Sequence, residues 1–374
     1  MNETSENPIF MDKRKIILYI DTMYRGGAQR VMANLANYFS SNGVDVVLIN
    51  DFPEARAGMV YSVNTSIKRI FLQESNKGNA LIKNLVRILK LRKIIKQEQA
   101  DTILSFMGPP NIRMLLATLG IRSSRKIVSV RNDPNKEYGT NVIIKYFVRQ
   151  LFTFADGCVF QTEDAKQYFP ESVQNNSIVI FNPVDPKFYG ITRNTDCHNI
   201  ITAGRLEAQK NHKNLITAFA QISVEFPEDK LIIYGEGKLR GELMQMCQEL
   251  HLANRVEFPG NTLRMDKVLA DAKCFVLSSD YEGLPNALME AMAAGVPVIS
   301  TDCPCGGPRA LITSQNEGIL LPCADSNLMA NAMRLLLNDK SLQNKLSAAA
   351  HKRAQSFAPD VIFSQWDTYL FTPN

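Results

Sequence analysis

No stretch of the 374-residue sequence stays apolar for the roughly 18 to 20 residues of a membrane-crossing helix, so no helical span is expected. The opening Met1–Asp12 is polar and carries acidic residues early, unlike a secretory signal or a transit peptide. The seven cysteines are odd in number and lack framework spacing, which argues for a reducing, cytoplasmic setting. Cys303 and Cys305 form a Cys-Pro-Cys triplet, but no second pair or clustered histidine completes a zinc site, so structural thiols are expected. Histidine is scarce: there are four, and none precedes His198. No strand-end carboxylate pair of the Asp-x-Asp kind is evident, so neither a metal nor another cofactor is expected. Internal repeats and low-complexity tracts are absent too.

What is present is the composition of a globular protein, 45% hydrophobic and 21% charged, long enough for two domains. The net charge of +5 is unevenly spread. Residues 1–190 hold 25 Lys and Arg against 17 Asp and Glu, and the remainder holds 17 against 20. A basic N-terminal half suggests an anionic partner such as phosphate, nucleic acid or a membrane surface.

Short apolar runs alternate with helical patterns along the whole chain. Strands are predicted at 15–21, 45–50, 102–106, 126–130, 157–161 and 177–181, with a helix at 28–41 after a Gly-containing turn. The Pro-bracketed segment Asn182–Pro186 and the polar run 192–199 then read as a linker. The pattern restarts with strands at 199–202, 230–234, 255–258, 274–277, 297–300 and 318–321. Helices are predicted at 212–226, 239–250, 265–272, 286–294, 328–356 and 358–370. The fold class is therefore α/β, two doubly wound Rossmann-like halves facing a cleft, divided at 1–183 and 184–356.

Three segments carry candidate chemistry. Asp280–Asn286 joins a strand to a helix, so free backbone N–H groups and a positive helix end face the loop. Glu282 and Glu290, one turn into that helix, can address one ligand, and acceptor-only carboxylates suit sugar hydroxyls. Ala203–His212 follows the first strand of the second half, and its Arg205 and Lys210 are placed to converge on a diphosphate. His212 is expected to hydrogen-bond at the helix start. Arg25–Arg30, with paired Gly26 and Gly27, follows the first strand of the chain and lets backbone approach a ligand closely. Read alone, a helix cap, solvated surface charges and a tight turn would account for the same residues.

Glu282 through Ile299 closely resembles the glutamate-x7-glutamate signature of the retaining glycosyltransferases of family 4 (glycosyl transferases group 1), which have the GT-B fold. The Gly-Arg-Leu and Gln-Lys-Asn steps around Arg205 and Lys210, and the Gly26-Gly27 loop, are similar to the same family. Within the family the chain is similar to bacterial enzymes of O-antigen, capsule and lipid-linked oligosaccharide assembly. The resemblance implies that Glu282 meets the transferred sugar, that Glu290 holds the ribose hydroxyls, and that amides near Gly283 and Leu284 meet phosphates. Arg205 and Lys210 would neutralise the diphosphate, while Gly235, Val256, Asn261 and Asn286 complete the donor site. It also implies a C-terminal helix, 357–374, crossing back onto an acceptor-binding N-terminal domain. Many members carry a histidine in the loop after a middle strand of that domain. Here Arg131, Asn132 and Asp133 stand instead and become the candidates on the acceptor and sugar side.

The expected activity is transfer of a hexose or N-acetylhexosamine, with retention, from a nucleotide diphosphate sugar, with UDP the expected base, to a lipid-linked glycan acceptor. A binding protein without turnover and a GT-B nucleotide-sugar epimerase are the alternatives. An NAD enzyme is disfavoured, because in Gly235-Glu236-Gly237-Lys238-Leu239-Arg240-Gly241 the third glycine comes one residue late. Lys77–Lys96 has seven Lys or Arg, no acid, and Leu81, Ile82, Leu85, Val86, Ile88 and Leu89 at helical spacing. It reads either as an ordinary helix with a solvated basic face or as a surface helix meeting anionic lipid, which would place the enzyme on the inner face of the plasma membrane. Asn141–Phe154 extends the same character. No stacking motif accompanies the charge, so nucleic acid is not an expected partner.

Overall fold

The computed structural model describes residues 14–372 apart from 25, 52, 54–59, 74–78 and 140. Arg25 and Lys77, named above, lie outside the described residues. Seven strands form the first sheet: β1 (Lys15–Tyr19), β2 (Asp45–Asn50), β3 (Lys68–Phe71), β4 (Thr102–Phe106), β5 (Arg125–Ser129), β6 (Gly157–Phe160) and β7 (Ser177–Val179). Their order is β3-β2-β1-β4-β5-β6-β7, and every pair is parallel. Six more form the second: β8 (Asn199–Ala203), β9 (Lys230–Tyr234), β10 (Val256–Gly260), β11 (Ala272–Leu277), β12 (Val298–Thr301) and β13 (Ile319–Leu321), in the order β10-β9-β8-β11-β12-β13. Both sheets are covered on two faces by helices, which is why the inner strands are apolar at nearly every position rather than alternating.

Each sheet reverses its winding once, between β1 and β4 and between β8 and β11. Ligands in such sheets bind beyond the carboxyl ends of the strands at this switch point. The cleft beyond the carboxyl ends of β1, β8 and β11 is therefore where a ligand site is to be sought.

Two elements depart from the sequence reading. β3 was not predicted: its four residues Lys-Arg-Ile-Phe sit on the sheet edge, half-exposed, with no buried run to signal them. The single helix expected over 328–356 is two, Ser326–Asn338 and Lys340–Ala354, because Asp339 breaks the chain and accepts from the Leu342 amide at 2.9 Å as an N-cap.

The C-terminal helix Pro359–Phe371 crosses back onto the first sheet, as expected. Trp366 is fully buried against Phe106, with Ile362 and Leu370 in the same cluster as Phe39 and Val31. Thr102 Oγ1 donates to Leu370 O at 3.0 Å and Arg125 Nη1 to Tyr369 O at 2.5 Å, which satisfies carbonyls at the helix end. Where the chain passes between the sheets, Val184 N donates to Phe357 O at 3.0 Å, tying the two crossing segments together.

Candidate active site

Glu282 stands in the loop after β11, with its side chain 8% exposed. Its Oε1 receives Lys210 Nζ at 2.5 Å and Ser279 Oγ at 2.7 Å, and Gln209 Nε2 lies 3.4 Å from Oε2. The loops after β8 and β11 are zipped together around this pair. Asp280 N donates to Gln209 O at 2.9 Å, Ser278 Oγ to Lys210 O at 2.9 Å, and Asn211 Nδ2 to Asp280 Oδ1 at 2.8 Å. Lys210 thus has both its backbone and its ammonium held, so its charge is aimed before any ligand arrives. Asn211, at φ 43°, is in the left-handed region that asparagine tolerates, and it caps the helix His212–Ile222. Asn211 is the cap of this helix, and the His212 ring faces the backbone of Gly204 and Arg205. His212 itself is buried, and burial together with the Lys210 charge pushes its pKa down to about 4, so it stays neutral near pH 7.

The carboxyl ends of β8, β9 and β10 form the neighbouring wall. Gly235 has φ 133°, and a Cβ there would fall 1.9 Å from the Gly204 carbonyl oxygen, so backbone packs on backbone at the strand ends. Arg205 is exposed in the following loop, paired with Glu207 at 3.2 Å and donating to Gln209 Oε1 at 3.1 Å. It lies beside Lys210 but is far less constrained. Asn261 follows β10 and is exposed. Val256 does not join this group. It is the first residue of β10, at the opposite end from Gly260, and its side chain is buried in the core. A strand places its two ends on opposite sides of the sheet, so the expectation for Val256 is corrected.

From the other domain, the helix Gly27–Ser41 brings its N-terminus to the N-terminus of the helix Asn286–Ala293. A Cβ on Gly27 would fall 2.9 Å from Asn286 Nδ2, so the glycine allows the approach. Glu290 carries an ion pair across the cleft: its Oε1 lies 2.5 Å from Arg30 Nη1. Asn182, read in the sequence only as part of a chain breaker, donates from Nδ2 to Asn286 Oδ1 at 2.7 Å. Its Oδ1 accepts from Gln161 Nε2 at 2.9 Å and from Arg131 Nη2.

The acceptor-side candidates separate. Arg131 is buried, stacked 4.6 Å above the Phe106 ring and bonded to Asn182, and burial pushes its pKa down to about 9. Asp133 is buried as the N-cap of a short helix, accepting from Asn135 N at 2.9 Å. Both side chains are used inside the protein, which leaves Asn132, half-buried, as the one of the three with surface to offer. The Leu284 amide donates to Gln161 Oε1 at 3.3 Å, and Gly283 packs on the Arg131 carbonyl. Lys136 Nζ sits 5.4 Å from the Tyr281 ring centroid, a further contact across the cleft. All seven cysteines are free. Burial pushes the Cys303 and Cys305 thiols up, to about 12 for Cys305, as expected of structural thiols. Among the described residues no group of three or more His, Cys, Asp or Glu comes together to hold a metal ion.

A buried carboxylate, a fixed ammonium and two opposed helix N-termini suit a ligand with sugar hydroxyls at one end and a diphosphate at the other. Two family models divide the chain between them. Glycosyltransferase Family 4 matches residues 25–188, and Glycosyl transferases group 1 matches residues 189–353. The chain is a family 4 glycosyltransferase. It is thereby a retaining enzyme that draws on a nucleotide sugar. Relatives run almost end to end with it. A Campylobacter jejuni N-acetylgalactosamine-N,N'-diacetylbacillosaminyl-diphospho-undecaprenol 4-alpha-N-acetylgalactosaminyltransferase is 27% identical over 92% of this chain and 96% of its own. The Erwinia amylovora amylovoran biosynthesis glycosyltransferase AmsD is 22% identical over 95% and 99%. Among solved structures, Anabaena HepE in complex with UDP superposes with a TM-score of 0.79 at 18% identity, covering 96% of this chain and 100% of that one. That structure and this glycosyltransferase share the GT-B fold.

Three residues that make contacts at this cleft had no role in the sequence reading: Arg30, Asn182 and Gln161. Arg30 had a local signal, because three residues after Gly27 is one helical turn, which sets it on the face that meets the other domain. Asn182 and Gln161 had none, since their partners are far along the chain.

Proposed function

We propose that this glycosyltransferase moves a hexose or N-acetylhexosamine from a UDP-sugar to a lipid-linked glycan, at the inner face of the plasma membrane, during surface polysaccharide assembly. The observation that carries the reading is the Lys210–Glu282 pair in the loops leading to a helix N-terminus that a helix N-terminus of the other domain meets. Glu282 would meet the transferred sugar, Glu290 the ribose, and the backbone around Gly283 the phosphates, with Asn286 beside them in the donor site. Lys210 and Arg205 would neutralise the diphosphate as the anomeric carbon–oxygen bond breaks. The acceptor oxygen then bonds to that carbon on the same face, and its proton passes to the departing phosphate. Relatives named for a diphospho-undecaprenol acceptor and for amylovoran biosynthesis support a lipid-linked acceptor and a polysaccharide product.

A membrane-surface location is supported by the N-terminal domain. No helix among the described residues is long and apolar enough to cross a membrane. Yet the helix Ala80–Glu98 exposes Leu81, Ile82, Leu85 and Leu89, and the helix Val142–Leu151 exposes Val142, Ile143, Ile144, Tyr146 and Phe147. Both pack on the same core cluster, on either side of the helix Gly108–Thr118, so their outer faces lie on one side of the domain. Lys90, Lys93 and Lys96 are exposed beside them. Arg87 and Arg92, counted with the basic face in the sequence, turn inward. Arg87 lies 3.6 Å from the buried Asp51, and Arg92 donates to Ala117 O at 2.8 Å.

Thermal stability measured against a panel of nucleotides tests the donor reading. UDP at 100 times its dissociation constant adds about 2.7 kcal/mol. A shift with another nucleotide and none with UDP would replace the base. Transfer is expected to survive EDTA, because the diphosphate is assigned to Lys210, Arg205 and the helix ends. Complete loss restored by Mg²⁺ or Mn²⁺ would overturn that assignment.

A further inference from the structure

The ion pair between Arg30 and Glu290 joins the two domains at the place where the donor is read to lie. Glu290 is buried to 9% side-chain exposure, and Arg30 Nη1 stands 2.5 Å from its Oε1. The pair belongs to a register between two first turns. Gly27 faces Asn286, and one turn further along each helix Arg30 faces Glu290. Both turns present the positive ends of their helices, so they repel unless negative charge lies between them. The Glu290 carboxylate supplies it, and Asn286 is fastened to Asn182 in the segment that connects the domains. Burial opposes the charge on Arg30, but Glu290, Tyr61 and Asp185 face it and hold its pKa above the ordinary arginine value.

We propose that Arg30 is a positioning residue for the donor. By crossing the cleft to hold one oxygen of Glu290, it leaves the other oxygen directed at the ribose and makes the grip on the nucleoside depend on the two domains being closed together. This rests on the reading of Glu290 as the ribose contact. A carboxylate on a helix has rotamers that point away from the partner domain, and an ion pair across the gap selects the one that faces it. Donor binding and domain closure are then one event, since loss of either half of the pair frees Glu290 and loosens the hinge at once. Arg30 acts through Glu290 and needs no contact of its own with the sugar or the phosphates.

Calorimetric titration of the full chain with UDP and with inorganic pyrophosphate separates this from a merely structural bridge. Arg30→Gln is expected to weaken UDP binding by about ten- to a hundredfold, in the range of ordinary coupling between linked sites. Its pyrophosphate affinity should fall less than its UDP affinity, because no ribose is present. In kinetics the loss should sit in KM for the donor rather than in kcat. With Glu290→Gln already in place, Arg30→Gln should add less than threefold. UDP affinity within twofold of the parent in Arg30→Gln would overturn the proposal and leave a structural bridge. An equal loss for pyrophosphate would also overturn it, by putting Arg30 on the phosphates directly. Unchanged UDP affinity in Glu290→Gln would instead remove Glu290 from the ribose, and Arg30 with it.

Discussion

Replacing Lys210 by alanine, or Glu282 by glutamine, is expected to lower transfer at saturating donor by about a hundredfold or more, close to 3 kcal/mol of transition-state stabilisation. Lys210 is the best-constrained positive charge beside the loop after β11, whereas Arg205 is mostly exposed. Removing the ammonium takes away charge that must grow in value as the diphosphate departs. Glu282→Gln keeps the shape and the Ser279 hydrogen bond but loses the negative charge facing the developing positive sugar ring. Both partners are largely buried, so each single variant leaves a charge without its counter-ion, which in buried pairs costs about 3–5 kcal/mol of stability. Lys210→Met combined with Glu282→Gln should therefore recover thermal stability lost by the single variants while staying inactive. Rates near the parent value in either single variant would take that residue out of the chemistry. Recovery of activity in the double variant would mean that the pair serves the fold alone.

The second large effect concerns the membrane. Lys90, Lys93 and Lys96 to Gln, combined with Ile143 and Phe147 to Ser, are expected to abolish sedimentation with phosphatidylglycerol vesicles while UDP binding persists. Each lysine near an anionic surface contributes about 1 kcal/mol, so three account for roughly a hundredfold in partitioning. Ile143 and Phe147 add about 1.5–3 kcal/mol each if they bury fully in the interface. The lysine part should fade with salt over a Debye length of about 8–10 Å, and the apolar part should not. Arg87 is left in place because it is buried with Asp51, and its loss would unsettle the domain instead of its surface. Undiminished sedimentation of the five-fold variant would return both helices to an ordinary solvated role.

The sequence by itself determined the two α/β halves and which loops face the cleft. Buried parallel strands are written as unbroken apolar runs, and loops that must bend sharply against a ligand are written as Gly-Gly, Gly-Arg-Leu and Glu-Gly-Leu-Pro-Asn. The convergence of Glu282, Lys210, Gly27 and Glu290 on one cleft was legible because each follows the end of a strand, and the switch point of the sheet brings such positions together.

What only the tertiary structure decided are the partners and the covered faces. Local pattern reports that a helix has an apolar stripe, but not which stripe meets the core. In the helix Ala80–Glu98, Leu91 and Ile95 pack inward with Arg87, while Leu81, Ile82, Leu85 and Leu89 of the expected stripe remain outside. Val256 had the right motif and the wrong end of its strand. Arg131 reads as a loop cation, but the Phe106 ring and Asn182 draw it into the interior. Arg30 and Glu290 stand 260 positions apart by their numbers, a separation that no periodicity spans. Their meeting depends on how one sheet docks against the other, and long-range packing alone sets that.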